Sequence, residues 1–161
     1  MAETRVKVVA AQGGRLAVVR LQRDTDLVTG LIEATRQAGF EMACTQLMIG
    51  SLRSAEISWT RASAKSKRGS ERTPPYHIDG PIELISGQAN ICLSDPDRPV
   101  FHVHAVLTDP EGKAWGGHFF QGGNPVHATV DVVLQEINGA QMRWTYDEEL
   151  DFELPVAFAK E

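Results

Sequence analysis

The stretch VFHVHAVLTDPEGKAWGGHFF, Val100 to Phe120, carries the clearest structural signal in the chain. Its first part, up to Thr108, is rich in valine, as strands commonly are. The residues DPEGK follow, with Pro110 and Glu111 at the central positions of a type I turn and Gly112 where a positive φ is needed. This pattern predicts a β-hairpin whose three-residue loop closes with a glycine bulge.

Three of the five histidines lie in this hairpin. His102 and His104 are two residues apart, so on one strand both side chains point to the same face. A three-residue loop sets Asp109 opposite Lys113, and counting back along both strands sets His104 opposite His118. A two-residue loop would instead turn His118 to the other face.

Three imidazoles on one face could each reach a common zinc ion at about 2.0–2.1 Å, and a three-histidine set leaves a position open for a ligand. We therefore predict that His102, His104 and His118 bind zinc or another divalent transition metal. The alternative is that they are polar surface groups or hydrogen-bonding groups at a subunit contact. His77 and His127 lie outside the hairpin and are not expected to be ligands.

The segment DTDLVTGLIEATRQAGF predicts the main helix, from Asp26 to Ala38, because apolar residues recur in it at helical spacing. Asp24 or Thr25 can cap the first turn, and Gly39 suits a left-handed residue at the end. From residue 40 to 59 we expect extended segments interrupted at IGSLRSA.

After Gly80 the chain reads as short strands separated by turn signals, one of which is SDPDRP. The predicted strands are PIELIS, QANICL, VFHVHAVLT, KAWGGHFF, TVDVVLQEI and MRWTY. One helix and many short strands predict an α+β fold with a mostly antiparallel sheet.

The length of 161 residues fits a single domain, which we place at residues 14–158 after a short N-terminal segment, 1–13. Within it, residues 61–80 are polar and basic and are predicted to form a mobile loop. Its basic residues Lys65, Lys67, Arg68 and Arg72 could contact DNA phosphates, or the loop could simply be an exposed polar segment. The net charge of −5 argues against a broad nucleic-acid-binding face.

The chain begins without a signal-peptide pattern and holds no apolar run long enough to span a bilayer. We therefore expect a cytoplasmic protein without a membrane partner. Cys44 and Cys92 lie far apart and form no CxxC motif, so both are expected to be reduced thiols.

The ordered motifs IELISG, FHVHAVLTDPEGK and GGHFFQG resemble the plant and prokaryote conserved (PPC) domain in its bacterial form. This resemblance implies a strongly bent antiparallel sheet and a homotrimer, with the HxH and GGH histidines near a subunit boundary and holding a metal in some bacterial members. Plant members carry a DNA-binding AT-hook built on Arg-Gly-Arg, which this sequence lacks. The fold is also remotely similar to that of acetolactate decarboxylase, which holds zinc with three histidines.

The sequence leaves three functions open. The resemblance favours a DNA-binding or regulatory homotrimer that carries the metal site. The residues equally suit metal-dependent binding or conversion of a small carboxylate or carbonyl compound, with Glu83 as an acid or base and Arg143 as a carboxylate clamp. A pure assembly domain is the third hypothesis, in which the contacts would be made by the aromatic residues Trp115, Phe119 and Phe120.

Overall fold

The computed structural model describes residues 4–94 and 98–160. Strands dominate this part of the chain, and the single helix lies near the start, in agreement with the predicted α+β class. In chain order the elements are β1 (Gln12–Gln22), α1 (Leu27–Ala38), β2 (Ala43–Ser58), β3 (Thr60–Ala62), β4 (Ser70–Arg72), β5 (Tyr76–Ser94), β6 (Arg98–Thr108), β7 (Ala114–Phe119), β8 (Val126–Asn138), β9 (Ala140–Asp147) and β10 (Phe152–Ala159).

The main sheet has eight strands in the order β1-β8-β2-β7-β6-β5-β9-β10. Its pairings are antiparallel except for a single parallel bridge between β5 and β9. Strand β2 pairs with β5 as well as with β7, so the pairings β2–β5, β5–β6, β6–β7 and β7–β2 form a closed circuit. Such a circuit requires the sheet to curl back on itself, as the predicted strong bend implies.

The inner face of β6 belongs to the hydrophobic core. Phe101, Val103 and Leu107 are buried there together with Phe119 of β7. Burial of each such side chain stabilises the fold by about 1.5–3 kcal/mol. Because side chains alternate along a strand, the even-numbered residues of β6 point to the opposite face.

Helix α1 begins one residue later than predicted and is capped by a different side chain. The Asp26 carboxylate accepts a hydrogen bond of 2.9 Å from the backbone N–H of Thr29. Neither Asp24 nor Thr25 is the cap, because Asp26 is the residue directly before the first helical turn and has extended backbone angles. Gly39 ends the helix with a φ of 66°, which confirms its predicted left-handed role.

The long strands correct two sequence predictions. The segment IGSLRSA does not interrupt the chain, because β2 runs through it while pairing with β8 and β5. The segments PIELIS and QANICL belong to one strand, β5, rather than two. Register shifts lie in both strands, at Gly50/Leu52 in β2 and at Leu84/Ser86 in β5, so irregular stretches remain within the ladder.

The segment predicted to be a mobile loop, residues 61–80, contains regular structure. Strands β3 and β4 form a small hairpin, and β5 starts at Tyr76; its mobility stays a prediction. In the predicted SDPDRP turn, residues 95–97 lie outside the described residues, as do residues 1–3 of the N-terminal segment. Strand β10 was not predicted, and it pairs with β9 along its whole length.

Both cysteines are free, as expected for reduced thiols. Cys92 is fully buried, and burial raises the pKa of its thiol to about 11. Across residues 4–94 and 98–160, no helix is both long and apolar enough to cross a membrane.

Candidate functional site

The turn between β6 and β7 has the predicted geometry. Gly112 has a φ of 80°, its N–H donates to the Asp109 carbonyl at 2.9 Å, and the Asp109 N–H donates to the Lys113 carbonyl at 3.1 Å. The Asp109 carboxylate accepts a bond of 2.8 Å from the Trp115 indole N–H and further bonds from backbone N–H groups of the loop. The Trp115 hydrogen bond is the main reason that the pKa of Asp109 lies below its usual range.

This turn sets the register that brings the histidines together. His104 pairs directly with His118, which confirms the predicted hairpin register. The ring centroids lie 4.8 Å apart for His102 and His104, and 5.3 Å from each of these rings to that of His118. One ligand atom from each ring can be chosen so that all three lie within 4.8 Å of one another. We call His102, His104 and His118 the histidine triad.

The triad is held in the neutral form, which is the form that binds metals. Burial is the largest cause lowering the pKa of each histidine, and it brings the pKa of His118 to about 3. The positive charge of Arg72 lowers all three pKa values further. At neutral pH the three rings therefore offer nitrogen lone pairs without first losing a proton.

The donor set of the triad fits a divalent transition metal. The Nδ1 of His118 is buried and has no hydrogen-bond partner among the described residues. The Nε2 atoms of His102 and His104 approach to 3.0 Å. Three imidazoles without a carboxylate or thiolate are a common ligand set for zinc with an open position. The three histidines would hold the metal, and metal binding by the triad stays a prediction.

Further side chains surround the triad, and two of them come from distant elements that no local sequence pattern connects to the hairpin. Ser58, at the end of β2, pairs with His118 on the side away from His104; it is fully buried, and its hydroxyl has no partner in the described part of the chain. The ring of Trp144 lies 5.4 Å from that of His102, and the ring of Phe120 lies 5.2 Å from that of His118. Long-range pairing brings Ser58 and Trp144 to the hairpin, whereas Phe120 directly follows β7.

Arg72 has a different environment from the other basic residues of the predicted loop. It was grouped with exposed basic residues for DNA, but it is half-buried beside the triad. The reason is the β3–β4 hairpin, which pairs Arg72 with Thr60 just beyond Ser58. Arg72 and His118 both line a cavity of about 490 Å³, whose other walls include Trp144.

The other three basic candidates lie at the surface of the β3–β4 hairpin. Lys65 is exposed. Lys67 is exposed and its ammonium donates to the backbone carbonyl of Glu148. Arg68 donates to the Ser70 carbonyl at 2.8 Å, and its guanidinium lies 3.5 Å from the centre of the Phe152 ring. Two of these three side chains are therefore engaged within the chain.

The fold does not bring the two predicted catalytic candidates to the triad. Glu83 is exposed and pairs with Thr108 of β6. Thr108 lies four residues from His104 along this strand, which is about 13 Å at the usual rise of a strand. Arg143 precedes Trp144 on β9, so its side chain points to the face opposite the one that contacts His102.

The two remaining histidines lie apart from the triad, as expected. His77 lies 3.4 Å from carboxylate oxygens of both Glu56 and Asp79. His127 is exposed at the start of β8. Within residues 4–94 and 98–160, neither belongs to a group that could hold a metal ion.

The fold agrees with comparisons to solved structures. A metal-containing protein, AF0104 from Archaeoglobus fulgidus, is 26% identical, with a TM-score of 0.78 over 94% of this chain and 99% of that one. A plant- and prokaryote-conserved (PPC) protein from Pyrococcus horikoshii is 25% identical, with a TM-score of 0.71 over 92% and 97%. A candidate DNA-binding protein from Ralstonia eutropha JMP134 is 16% identical, with a TM-score of 0.67 over 86% and 89%, and shows the fold alone.

Sequence comparisons define the family. The bifunctional protein GlmU of Synechococcus sp. (strain JA-3-3Ab) is 25% identical over 122 residues, which are 76% of this chain but only 17% of that protein. The family model of the Plants and Prokaryotes Conserved (PCC) domain matches residues 8–138. This match includes the hairpin and the histidine triad. The chain therefore belongs to the Plants and Prokaryotes Conserved (PCC) domain family, as its motifs predicted.

Proposed function

We propose that the histidine triad binds zinc or another divalent transition metal and that the protein uses this centre to bind a small carboxylate or carbonyl compound. The observation that carries the proposal is the convergence of three neutral imidazoles, one with a buried unpartnered Nδ1, beside a cavity of about 490 Å³. A structural relative at 26% identity is itself a metal-containing protein.

The side chains around the cavity determine what this centre can do. When bound, a divalent metal can polarise a carbonyl or lower the pKa of a water molecule. His102, His104 and His118 would hold it, while the rings of Trp144 and Phe120 lie beside those of His102 and His118.

Binding is better supported than conversion of the ligand. A reaction would need an acid or base near the ligand. Among the described residues that line the cavity, the one carboxylate belongs to Glu153, which is exposed.

Metal analysis of the purified protein tests the proposal. Wild type loaded with zinc and then desalted is expected to retain about one ion per chain, whereas His104→Ala and His118→Ala are expected to retain little. His127→Ala is the matched control, because His127 is an exposed histidine outside the triad. Circular dichroism checks that each variant is folded. Wild type without zinc, or a His118→Ala variant that retains it equally, would refute the proposal.

We also propose that the protein assembles as a homotrimer, as the family resemblance implies. An exposed row of aliphatic side chains crosses the outer face of the sheet and offers a surface for self-association. Val18, Val133 and Leu47 are directly opposed on three neighbouring strands. Val106 is also exposed and lies on the same face of β6 as His104, which supports a triad near a subunit boundary.

Light scattering coupled to size-exclusion chromatography tests the assembly. Wild type is expected to have the mass of three chains, and Val18→Glu is expected to dissociate because it places a charge within the aliphatic row. Val8→Glu is the control, since Val8 is equally exposed but precedes β1. A monomeric wild type, or a trimeric Val18→Glu variant, would contradict this part of the proposal.

DNA association, with a regulatory role, is the second candidate function. Its support is the fold shared with a candidate DNA-binding protein and the exposed Lys65 and Lys67 on the β3–β4 hairpin. Three copies of this hairpin in a trimer could act together on one duplex. The net charge of −5, the stacking of Arg68 on Phe152 and the position of Arg72 in the cavity beside the triad make this candidate the weaker one.

Fluorescence anisotropy with labelled duplex DNA at low salt tests the second candidate. A Lys65→Gln/Lys67→Gln variant is expected to bind more weakly than wild type and to show a shallower salt dependence. Lys7→Gln/Lys160→Gln removes the same charge elsewhere and serves as the control. Undetectable binding by wild type would exclude this function.

The cytoplasmic location and the likeness to acetolactate decarboxylase stay predictions from the sequence.

A further inference from the structure

Arg72 is a basic side chain directly beside the histidine triad. It lines the same cavity as His118 and Trp144, and its charge acts on all three triad histidines. Its guanidinium is half-buried, and this burial is the main cause that lowers the pKa of Arg72, with a smaller contribution from the charge of Arg68. Arg72 therefore carries its charge into the cavity at an energetic cost.

The cavity does not supply a partner for this charge. Among the described residues, no hydrogen bond or ion pair satisfies the Arg72 guanidinium. Arg98 adds a second positive charge to the lining, and Glu153, also in the lining, is not within ion-pair distance of Arg72. By contrast, Arg61 on the same hairpin is held by the Glu71 carboxylate at 2.6 and 2.8 Å.

The half-buried guanidinium of Arg72 carries a positive charge that no acceptor among the described residues balances, and its five N–H donors are available to a ligand. The proposed metal would increase this imbalance, because the triad contributes three neutral rings and no negative charge. An anionic ligand would offset the charge of Arg72 and that of the metal at once. Aromatic walls from Phe120, Trp144 and Phe152 suit an apolar body attached to that anion.

We propose that Arg72 binds the carboxylate of a small ligand whose apolar body fills the cavity beside the histidine triad. This inference rests on the proposed function and names both its ligand class and the residue that recognises it. The planar guanidinium matches a carboxylate through two parallel hydrogen bonds. Arg72 thus takes the clamping role that the sequence hypothesis gave to Arg143.

Calorimetric titration of the zinc-loaded protein with 3-phenylpropionate tests the proposal. We expect Arg72→Gln to weaken binding by roughly 10- to 100-fold, because a charge-assisted pair of hydrogen bonds is lost. Lys65→Gln removes the same charge from the same hairpin and is expected to leave the affinity within about twofold of wild type. The neutral amide, 3-phenylpropanamide, is expected to bind weakly to wild type and to Arg72→Gln alike.

Zinc content separates a failure of this inference from a failure of the proposed function. Arg72→Gln is expected to bind zinc at least as tightly as wild type, because a positive charge beside the metal has been removed. If both proteins hold zinc but bind 3-phenylpropionate equally, or if wild type does not bind it at millimolar concentration, the Arg72 proposal is wrong and the metal proposal stands. If wild type holds no zinc, the proposed function fails, and the same titrations on the metal-free protein decide the role of Arg72 alone.

Discussion

Replacing Gly117 by alanine is expected to push β7 away from β2 and to displace His118 from the histidine triad. A Cβ atom at Gly117 would lie 2.5 Å from the carbonyl oxygen of Ser58 and 3.4 Å from the Cβ of Ile57. Cβ atoms in proteins essentially never come within 3.0 Å of a heavy atom outside their own residue and its two chain neighbours. The obstacle is backbone, so it cannot move aside as the end of a flexible side chain could.

The expected magnitude follows from this contact. Restoring 3.0 Å requires a shift of about 0.5 Å, which is the tolerance within which a functional constellation must be held. Overpacking of this kind costs about 1–3 kcal/mol. For a chain of this size, that lowers the melting temperature by roughly 2–12 °C. We also expect the affinity for zinc to fall at least about tenfold, because His118 is the next residue.

Gly116→Ala is the matched control. A Cβ at Gly116 would meet nothing closer than 3.6 Å, at the carbonyl oxygen of Ala105, which is an ordinary contact. The same substitution one residue earlier is therefore expected to leave zinc affinity unchanged. It is also expected to keep or slightly raise the melting temperature, since alanine restricts the unfolded chain more than glycine does.

Differential scanning calorimetry and competitive zinc titration with a chromogenic chelator measure the two effects. The comparison between the adjacent glycines removes general effects of glycine replacement in β7. Suppose that Gly117→Ala has the same melting temperature and the same zinc affinity as Gly116→Ala. The close approach of β2 and β7 then does not position His118, and the reasoning is refuted.

Three other predictions concern stability and reactivity. Asp26→Ala is expected to lower stability by about 1 kcal/mol in denaturant unfolding, because the helix cap is lost; no change would contradict the capping role. Asp109→Asn is expected to lower the melting temperature at pH 7. Because the pKa of Asp109 is lowered in the folded state by Trp115, this difference should persist above the unfolded value near 3.8 and shrink as the pH falls below it; a pH-independent difference would argue against it. Cys92 is expected to resist iodoacetamide at pH 8 while half-buried Cys44 reacts, as peptide mass mapping would show; equal labelling in the native protein would oppose this.

The hairpin could be predicted from sequence because its geometry is local. The DPEGK turn fixes the loop length, and loop length fixes which residues of β6 and β7 are opposed. Alternation then places His102 and His104 on the face that His118 also occupies. The end of helix α1 at Gly39 was predictable for the same reason, since it depends on the conformational freedom of one residue.

The long strands could not be predicted in the same way. The segment IGSLRSA has a weak strand pattern of its own, yet it remains extended because β8 and β5 pair with β2 on either side. Long-range pairing overrides local preference in such segments. Strand β10 lies at the edge of the sheet and is defined by its pairing with β9 rather than by a strong apolar alternation.

The sequence by itself determined the face, the register and the members of the histidine triad, since all three residues lie in one short hairpin with a diagnostic turn. Only the tertiary structure decided what surrounds the triad. Arg72 lies 30 residues before His102 in the chain, and Trp144 lies 26 residues after His118. Both reach the cavity through the curl of the sheet and the docking of the β3–β4 hairpin, and contacts between distant strands leave no local pattern in the sequence.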